Sequence, residues 1–165
     1  MPLRSDWSQR PCPIARAIDV LGDPWTLLVL RELIYGARRF DEIRVHSEAG
    51  DKTLSDRLER MIDAGLVTRR QYSGTLRPRY EYHPTQAGRD ALPILHSLAL
   101  WGAAHTEAPD LEQPFEILCR SCGQETRRAE SCSHCGSELT VENTVWIRPL
   151  ARAAHERPRD PGSIA

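Results

Sequence analysis

The sequence predicts a mainly α fold (α+β): a small helical bundle carrying a β-hairpin, followed by a short cysteine-held unit. Three observations lead there. Leu54, Leu58, Met61 and Ile62 recur at i, i+4, i+7 and i+8, a single apolar stripe at the helical period. Directly after it, residues 66–72 and 79–83 are rich in β-branched and aromatic side chains, and Ser73-Gly74 and Pro78 punctuate the stretch between them as a turn would. Farther on, Cys119-Arg120-Ser121-Cys122-Gly123 and Cys132-Ser133-His134-Cys135-Gly136 repeat one short phrase, nine residues apart.

The elements follow in order. Pro11-Cys12-Pro13 opens a first helix whose stripe is Ile14, Ala17, Ile18 and Leu21. Asp23-Pro24 then starts a second, an N-cap acid with proline at the first helical position. Residues 26–36 (TLLVLRELIYG) are apolar almost all round, which predicts the most buried helix. A third, shorter helix is expected over 38–45, with Phe40 and Ile43 inward. Residues 47–50 then form the turn of a helix-turn-helix. Its second helix carries the Leu54 stripe, with Asp51 expected as N-cap and Gly65 as the left-handed stop. Thr85 caps a last helix over 86–105, which Pro93 should kink or interrupt. Its apolar side chains are too many for one stripe on a small domain, so a partner helix is expected.

Composition divides the chain at His105. Before it, 15 Lys+Arg stand against 13 Asp+Glu, net +2; after it, 7 stand against 10, net −3. With an overall charge of −1, any contact with nucleic acid must rest on local charge. We expect four segments: 11–105 as a DNA-binding and dimerisation domain, 106–114 as a linker separating two cores, 115–147 as a zinc-ribbon-like unit, and 148–165 as a disordered tail. Residues 1–10 lack the apolar run of a leader, and nothing approaches membrane-spanning length. A cytoplasmic protein without membrane contact is therefore expected, nucleoid-associated where it holds DNA.

Local charge does gather at one place. At 100° per residue, Lys52, Thr53, Asp56 and Arg60 point away from the apolar stripe, with Ser55 and Arg57 on its flanks. From Arg69 to Arg79 the adjoining hairpin holds Arg69, Arg70, Arg77 and Arg79 and no acid. A polar helix face beside a basic hairpin is what a winged helix-turn-helix offers to double-stranded DNA. Arg60 suits a bidentate contact to guanine, and Lys52 and Thr53 suit phosphates or base edges near the helix N-terminus. Asp56 accepts from cytosine or orients Arg57 or Arg60. Arg77 and Arg79, beside the stiffening Pro78, suit the DNA backbone or minor groove. Arg38 and Arg39 are equally suited to phosphate and to plain solvation.

The cysteines point to a second chemistry. In a reducing compartment, five cysteines favour metal or thiol chemistry over a disulfide framework. Two Cys-x-x-Cys-Gly turns present Cys119, Cys122, Cys132 and Cys135 for tetrahedral four-sulfur ligation, the arrangement of structural zinc. One zinc per chain is expected; spacing alone does not separate it from iron. Four sulfurs leave no position for an activated water, and no His-Glu-x-x-His or Ser-His-Asp arrangement is present, so an enzyme is not expected. His134 falls between ligands and is expected to be exposed. Cys12 stands apart at a helix N-terminus, where the free N–H groups favour the reactive thiolate.

Residues 11–102 resemble the HxlR-type winged helix regulators. The phrases CPIARAIDVLGDPWTLLVLREL, GARRFDEI, DKTLSDRLERMIDAGLVTRR, RYEYHPTQAGRDALPIL and LALWG occur in family order. The resemblance implies a bacterial or archaeal homodimeric transcription factor, joined through its first and last helices and holding an operator with the recognition helix and wing. In some members a cysteine matching Cys12 senses oxidants or electrophiles. The cysteine unit lies outside the usual pattern. An alternative of another class is a zinc-ribbon protein-interaction module in which DNA contact is secondary.

Overall fold

The computed structural model describes residues 6–73, 78–108 and 110–151. Helix α1 (Pro13–Leu21) runs into α2 (Pro24–Ile34), where the Asp23 carboxylate accepts from the N–H groups of Trp25 and Thr26 at 2.9 and 3.3 Å. Helices α3 (Phe40–Ser47) and α4 (Asp51–Asp63) follow. Strands β1 (Val67–Ser73) and β2 (Arg79–Pro84) pair antiparallel as the hairpin, with Val67 opposite Pro84.

Two helix starts differ from the sequence expectation. Gly50, not Asp51, is the N-cap of α4; Asp51 is the first helical residue, where its charge still favours the positive helix end and lies 3.5 Å from Arg44. Helix α3 starts at Phe40 rather than residue 38, because the Glu42 carboxylate accepts from the Arg38 and Arg39 N–H groups at 2.9 and 3.1 Å. Those two bonds also hold the Glu42 carboxyl below its ordinary value.

The final helix is interrupted as Pro93 requires. A short α5 (Gln86–Arg89) ends at Asp90, and α6 (Leu92–His105) restarts with the proline in its first turn. The turn before α5 is clamped to the hairpin base: Thr85 donates its hydroxyl to Gly65 O at 2.6 Å and its N–H to Leu66 O at 2.9 Å. Gly88 lies so close that a Cβ there would stand 2.3 Å from Leu66 O.

Helix α2 is the central element. It buries Val29, Leu30 and Leu33 completely against Ile43, Leu54, Leu58 and Met61. Helix α1 buries nothing: Ile14 is 69% exposed and Ile18 39%. Ile14, Ala17 and Ile18 of its stripe face outward while Leu21 packs on the core, and the Ile94, Leu98 and Trp101 row of α6 also faces outward.

Beyond α6 come β3 (Leu111–Gln113), β4 (Glu116–Cys119), β5 (Thr144–Ile147) and β6 (Leu150–Ala151). Strands β4 and β5 pair antiparallel, and so do β3 and β6. The segment read as a linker thus contains β3, whose partner β6 opens the segment read as a tail. Residues 152–165 lie outside the described residues.

The two halves are joined by side chains. The Trp146 ring stands edge-on to Tyr35, the C-cap of α2, and to His96 of α6, with centroids 4.7 and 5.3 Å away. Arg148 reaches Glu32 of α2 at 2.6 Å and lies 4.0 Å above the Tyr35 ring. Burial pushes the Tyr35 hydroxyl up to about 12, opposed by the nearby Arg148 charge.

Candidate nucleic-acid interface and metal centre

The α4 stripe turns Leu54, Leu58 and Met61 inward and leaves Lys52, Ser55, Asp56 and Arg60 exposed. Thr53 is half-buried. Arg57 departs from the expectation. Its Nη2 lies 2.6 Å from the Asp23 carboxylate and its side chain is 14% exposed, so it ties α4 to the start of α2 rather than facing outward. The same carboxylate that caps α2 thereby fixes the angle of α4.

The hairpin beside this face presents exposed Arg69, Arg70 and Arg79. Arg69 lies 4.9 Å from the Tyr80 ring centre and Arg39 lies 4.8 Å from that of Tyr72, so aromatic rings hold two of the cations flat against the hairpin. Arg77, at the tip, lies outside the described residues. Arg38 turns inward instead, donating to the Leu33 and Ala37 carbonyls at the end of α2, and burial lowers its pKa.

The four sulfurs of Cys119, Cys122, Cys132 and Cys135 lie within 4.8 Å of one another. Cys119 and Cys135 are 3.8 Å apart at sulfur, and Cys122 and Cys132 are 3.6 Å apart. A tetrahedral ion with bonds of about 2.3 Å requires sulfur separations of about 3.8 Å, so the set fits. Gly123 and Gly136 take φ of 72° and 73°, and their N–H groups close the knuckles onto the Cys119 and Cys132 carbonyls. The His134 N–H lies 3.4 Å from Cys132 Sγ, while its side chain is exposed and outside the sulfur group. The Ser137 hydroxyl, 3.3 Å from Cys135 Sγ, and the Ser137 N–H together bring that thiol down to about 6. The first cysteine of each knuckle is buried; Cys122 is half-buried and Cys135 exposed.

Sequence reasoning missed two buried polar groups, Glu32 and His96, each 0% exposed. Glu32 is held by Arg31 at 2.7 Å as well as by Arg148. His96 Nδ1 lies 2.7 Å from Ala129 O, which only accepts. Its Nε2 lies 2.7 Å from Trp146 Nε1, which only donates. The partners therefore fix a neutral ring with its proton on Nδ1. Burial lowers the His96 pKa, with the Ala129 bond partly opposing. One signal was available: an acid inside the apolar run of α2 demands a partner.

Cys12 is the N-cap residue of α1 and is exposed, with no side-chain capping bond.

A helix-turn-helix whose second helix shows a polar face beside a basic hairpin defines the winged helix class of DNA-binding regulators. Residues 20–110 match the HxlR-like helix-turn-helix family, and the chain belongs to it. The uncharacterized HTH-type transcriptional regulator Rv3095 of Mycobacterium tuberculosis is 35% identical over 132 residues, covering 80% of this chain and 82% of its own. A match of that length extends past His105, into the cysteine unit. Among solved structures, PA1607, described as a transcription factor, aligns at TM-score 0.67 and 31% identity over 84% of this chain and 95% of that one. The redox regulator HypR in its oxidized form aligns at TM-score 0.53 and 28% identity over 59% of this chain and 100% of that one. The relatives are transcription regulators. Among the described residues, no helix is long and apolar enough to cross a membrane.

Proposed function

We propose that the protein is a homodimeric, sequence-specific DNA-binding transcription regulator of the cytoplasm and nucleoid, with one zinc ion in its cysteine centre. The observation that carries the reading is the exposed Lys52, Ser55, Asp56 and Arg60 face of α4 beside a hairpin that exposes Arg69, Arg70 and Arg79. Arg60 reads a base edge, and Lys52, Thr53 and Arg79 hold backbone. Arg77 takes the same role at the tip on sequence grounds. Arg57 acts from behind by holding α4 against Asp23. The exposed apolar rows of α1 and α6 support dimerisation through those helices, since an apolar surface of that kind is more stable covered.

Zinc is favoured over other ions by four thiolate donors in tetrahedral spacing, with iron the chemical alternative. The likeness to the redox regulator HypR and the exposed position of Cys12 support a response to oxidants or electrophiles through that thiol.

The test is a binding series on duplexes selected from random DNA. Arg60→Ala loses discrimination at one base pair, worth about 1–3 kcal/mol. Arg77→Ala weakens all sequences alike and lowers the salt slope by about one unit. Curves for both variants that overlay wild type from low to high salt overturn the reading. Cys12→Ser abolishes the response to diamide; an identical response in wild type and variant removes Cys12 from the proposal.

A further inference from the structure

The cysteine unit cannot hold itself together without an ion. Its buried apolar set is Ile117, Cys119, Cys132 and Leu139, so half of that core consists of metal ligands. A segment this small does not bury enough apolar surface to fold on its own. In such units the free energy of metal binding is the free energy of folding. The site is also open along one edge, where Cys135 is exposed and Cys122 half-buried, so an ion can exchange with solvent from that side.

What the ion organises is wired directly into the winged helix. Cys119 stands opposite Thr144 in the β4–β5 ladder, and Ile117 stands opposite Trp146. Ala129, between the two knuckles in sequence, and Trp146, after the second, supply both partners of the His96 ring. Arg148, directly after β5, supplies one of the two cations on Glu32. His96 and Glu32 are each 0% exposed. A buried polar group that loses its partner must move to water or bear the full cost of desolvation. Release of the ribbon therefore leaves His96 on α6 without either partner and Glu32 on α2 with Arg31 alone. Helix α2 packs on the recognition helix α4, and α6 carries the exposed Ile94, Leu98 and Trp101 row.

From this arrangement we propose a further function: the cysteine centre is a metal sensor, and a soft divalent cation is its ligand. The occupied ribbon seats on α2 and α6 and sets the winged helix in its DNA-holding form; the empty ribbon melts, withdraws Trp146 and Arg148, and releases that setting. An ion shifts the balance because it binds only the seated form. The proposal rests on the metal and DNA readings above, and its test separates failure of each.

The full chain is loaded with Zn²⁺, and a matched sample is stripped with a chelator under reducing conditions. Metal content, amide hydrogen exchange and affinity for duplexes selected by the loaded protein are then measured. Stripping should speed exchange in α2 and α6 as well as in residues 115–147. It should weaken DNA binding at least tenfold, and added Zn²⁺ should restore both. The double variant Trp146→Phe, Arg148→Gln keeps all four cysteines and should retain its zinc, yet its DNA affinity should change no more than twofold on stripping. Faster exchange confined to residues 115–147, or an equal response in wild type and variant, overturns the sensor. Freshly reduced protein without metal overturns the reading of the centre itself. Loaded protein that retains no duplex removes the DNA reading, and exchange in α2 and α6 still decides the sensor.

Discussion

The two cores of this chain are built on different principles. Around α2, a dozen buried apolar residues contributed by α2, α3, the α3–α4 turn, α4, the α4–β1 turn, β1 and the start of α6 fill one contiguous interior. Around β4 and β5, the fully buried set among the described residues is Ile117 and Leu139 with Cys119 and Cys132, and Leu100, Phe115, Cys122 and Trp146 pack against it half-buried. The first core folds by removing apolar surface from water. In the proposed reading, the second folds by holding a cation and inherits that cation's concentration dependence. Joining them through Trp146 and Arg148 makes the self-sufficient half answerable to the conditional one.

That contrast can be broken at graded points. The largest effect is expected from Cys132→Ser, which removes a buried ligand. The variant should lose its metal and the protection of residues 115–147, read by elemental analysis and proteolysis, because the contribution of a structural zinc reaches about 10 kcal/mol or more. Next is Leu58→Ala in the other core. It should lower the unfolding free energy of the winged helix by about 2–5 kcal/mol in a urea titration, with zinc content unchanged. If it also empties the centre, the dependence between the cores runs in both directions.

Asp23→Ala should cost about 2–3 kcal/mol, since it deletes the cap of α2 and leaves Arg57 without its carboxylate. Arg57→Met should recover part of that loss in the double variant, because an unpaired buried cation is the larger penalty. Absence of any recovery would mean that the cap alone sets the cost.

The smallest effect is a pH dependence through His96. Its folded value lies below the ordinary 6.5, so below pH 6.5 the unfolded chain binds more protons. Stability from this group is complete above pH 6.5 and declines as pH falls toward the folded value, by up to about 1.4 kcal/mol per unit. A protonated Nε2 would face the indole N–H of Trp146 with no acceptor between them. The slope should appear in denaturant titrations of wild type below pH 6.5 and be shallower in His96→Gln. Equal slopes would exclude His96 as its source.

Much of the first core was legible because it is written in local pattern. The Leu54, Leu58, Met61 stripe, the Asp23-Pro24 start, the hairpin and the interruption at Pro93 all follow from spacing or from one residue's covalent geometry. The cysteine quartet was legible for the same reason, since each knuckle is a local turn with glycine at positive φ. What pattern does not carry is pairing at a distance. Glu32 and Arg148 are 116 residues apart, and His96 sits inside a run that reads as apolar helix. Arg57 looks like any outward arginine until Asp23 is placed beside it. The segment after His105 read as a linker because two prolines and three acids suggest one, although β3 lies within it. A truncation after His105 would consequently remove Trp146 and Arg148 and test more than the loss of the ribbon.

Gly88 has a bearing on how this regulator can be altered. With Leu66 O only 2.3 Å from where a Cβ would sit, the base of the hairpin and α5 meet backbone to backbone, with no side chain of residue 88 between them to act as a shim. Hairpin tilt and the seat of α5, from which the chain enters α6, are consequently one mechanical variable. In the proposed dimer joined through α6, adjusting two copies to a different spacing of operator half-sites would press on the wing at the same time. A change of spacing and a change of wing contact are thus acquired together, or not at all.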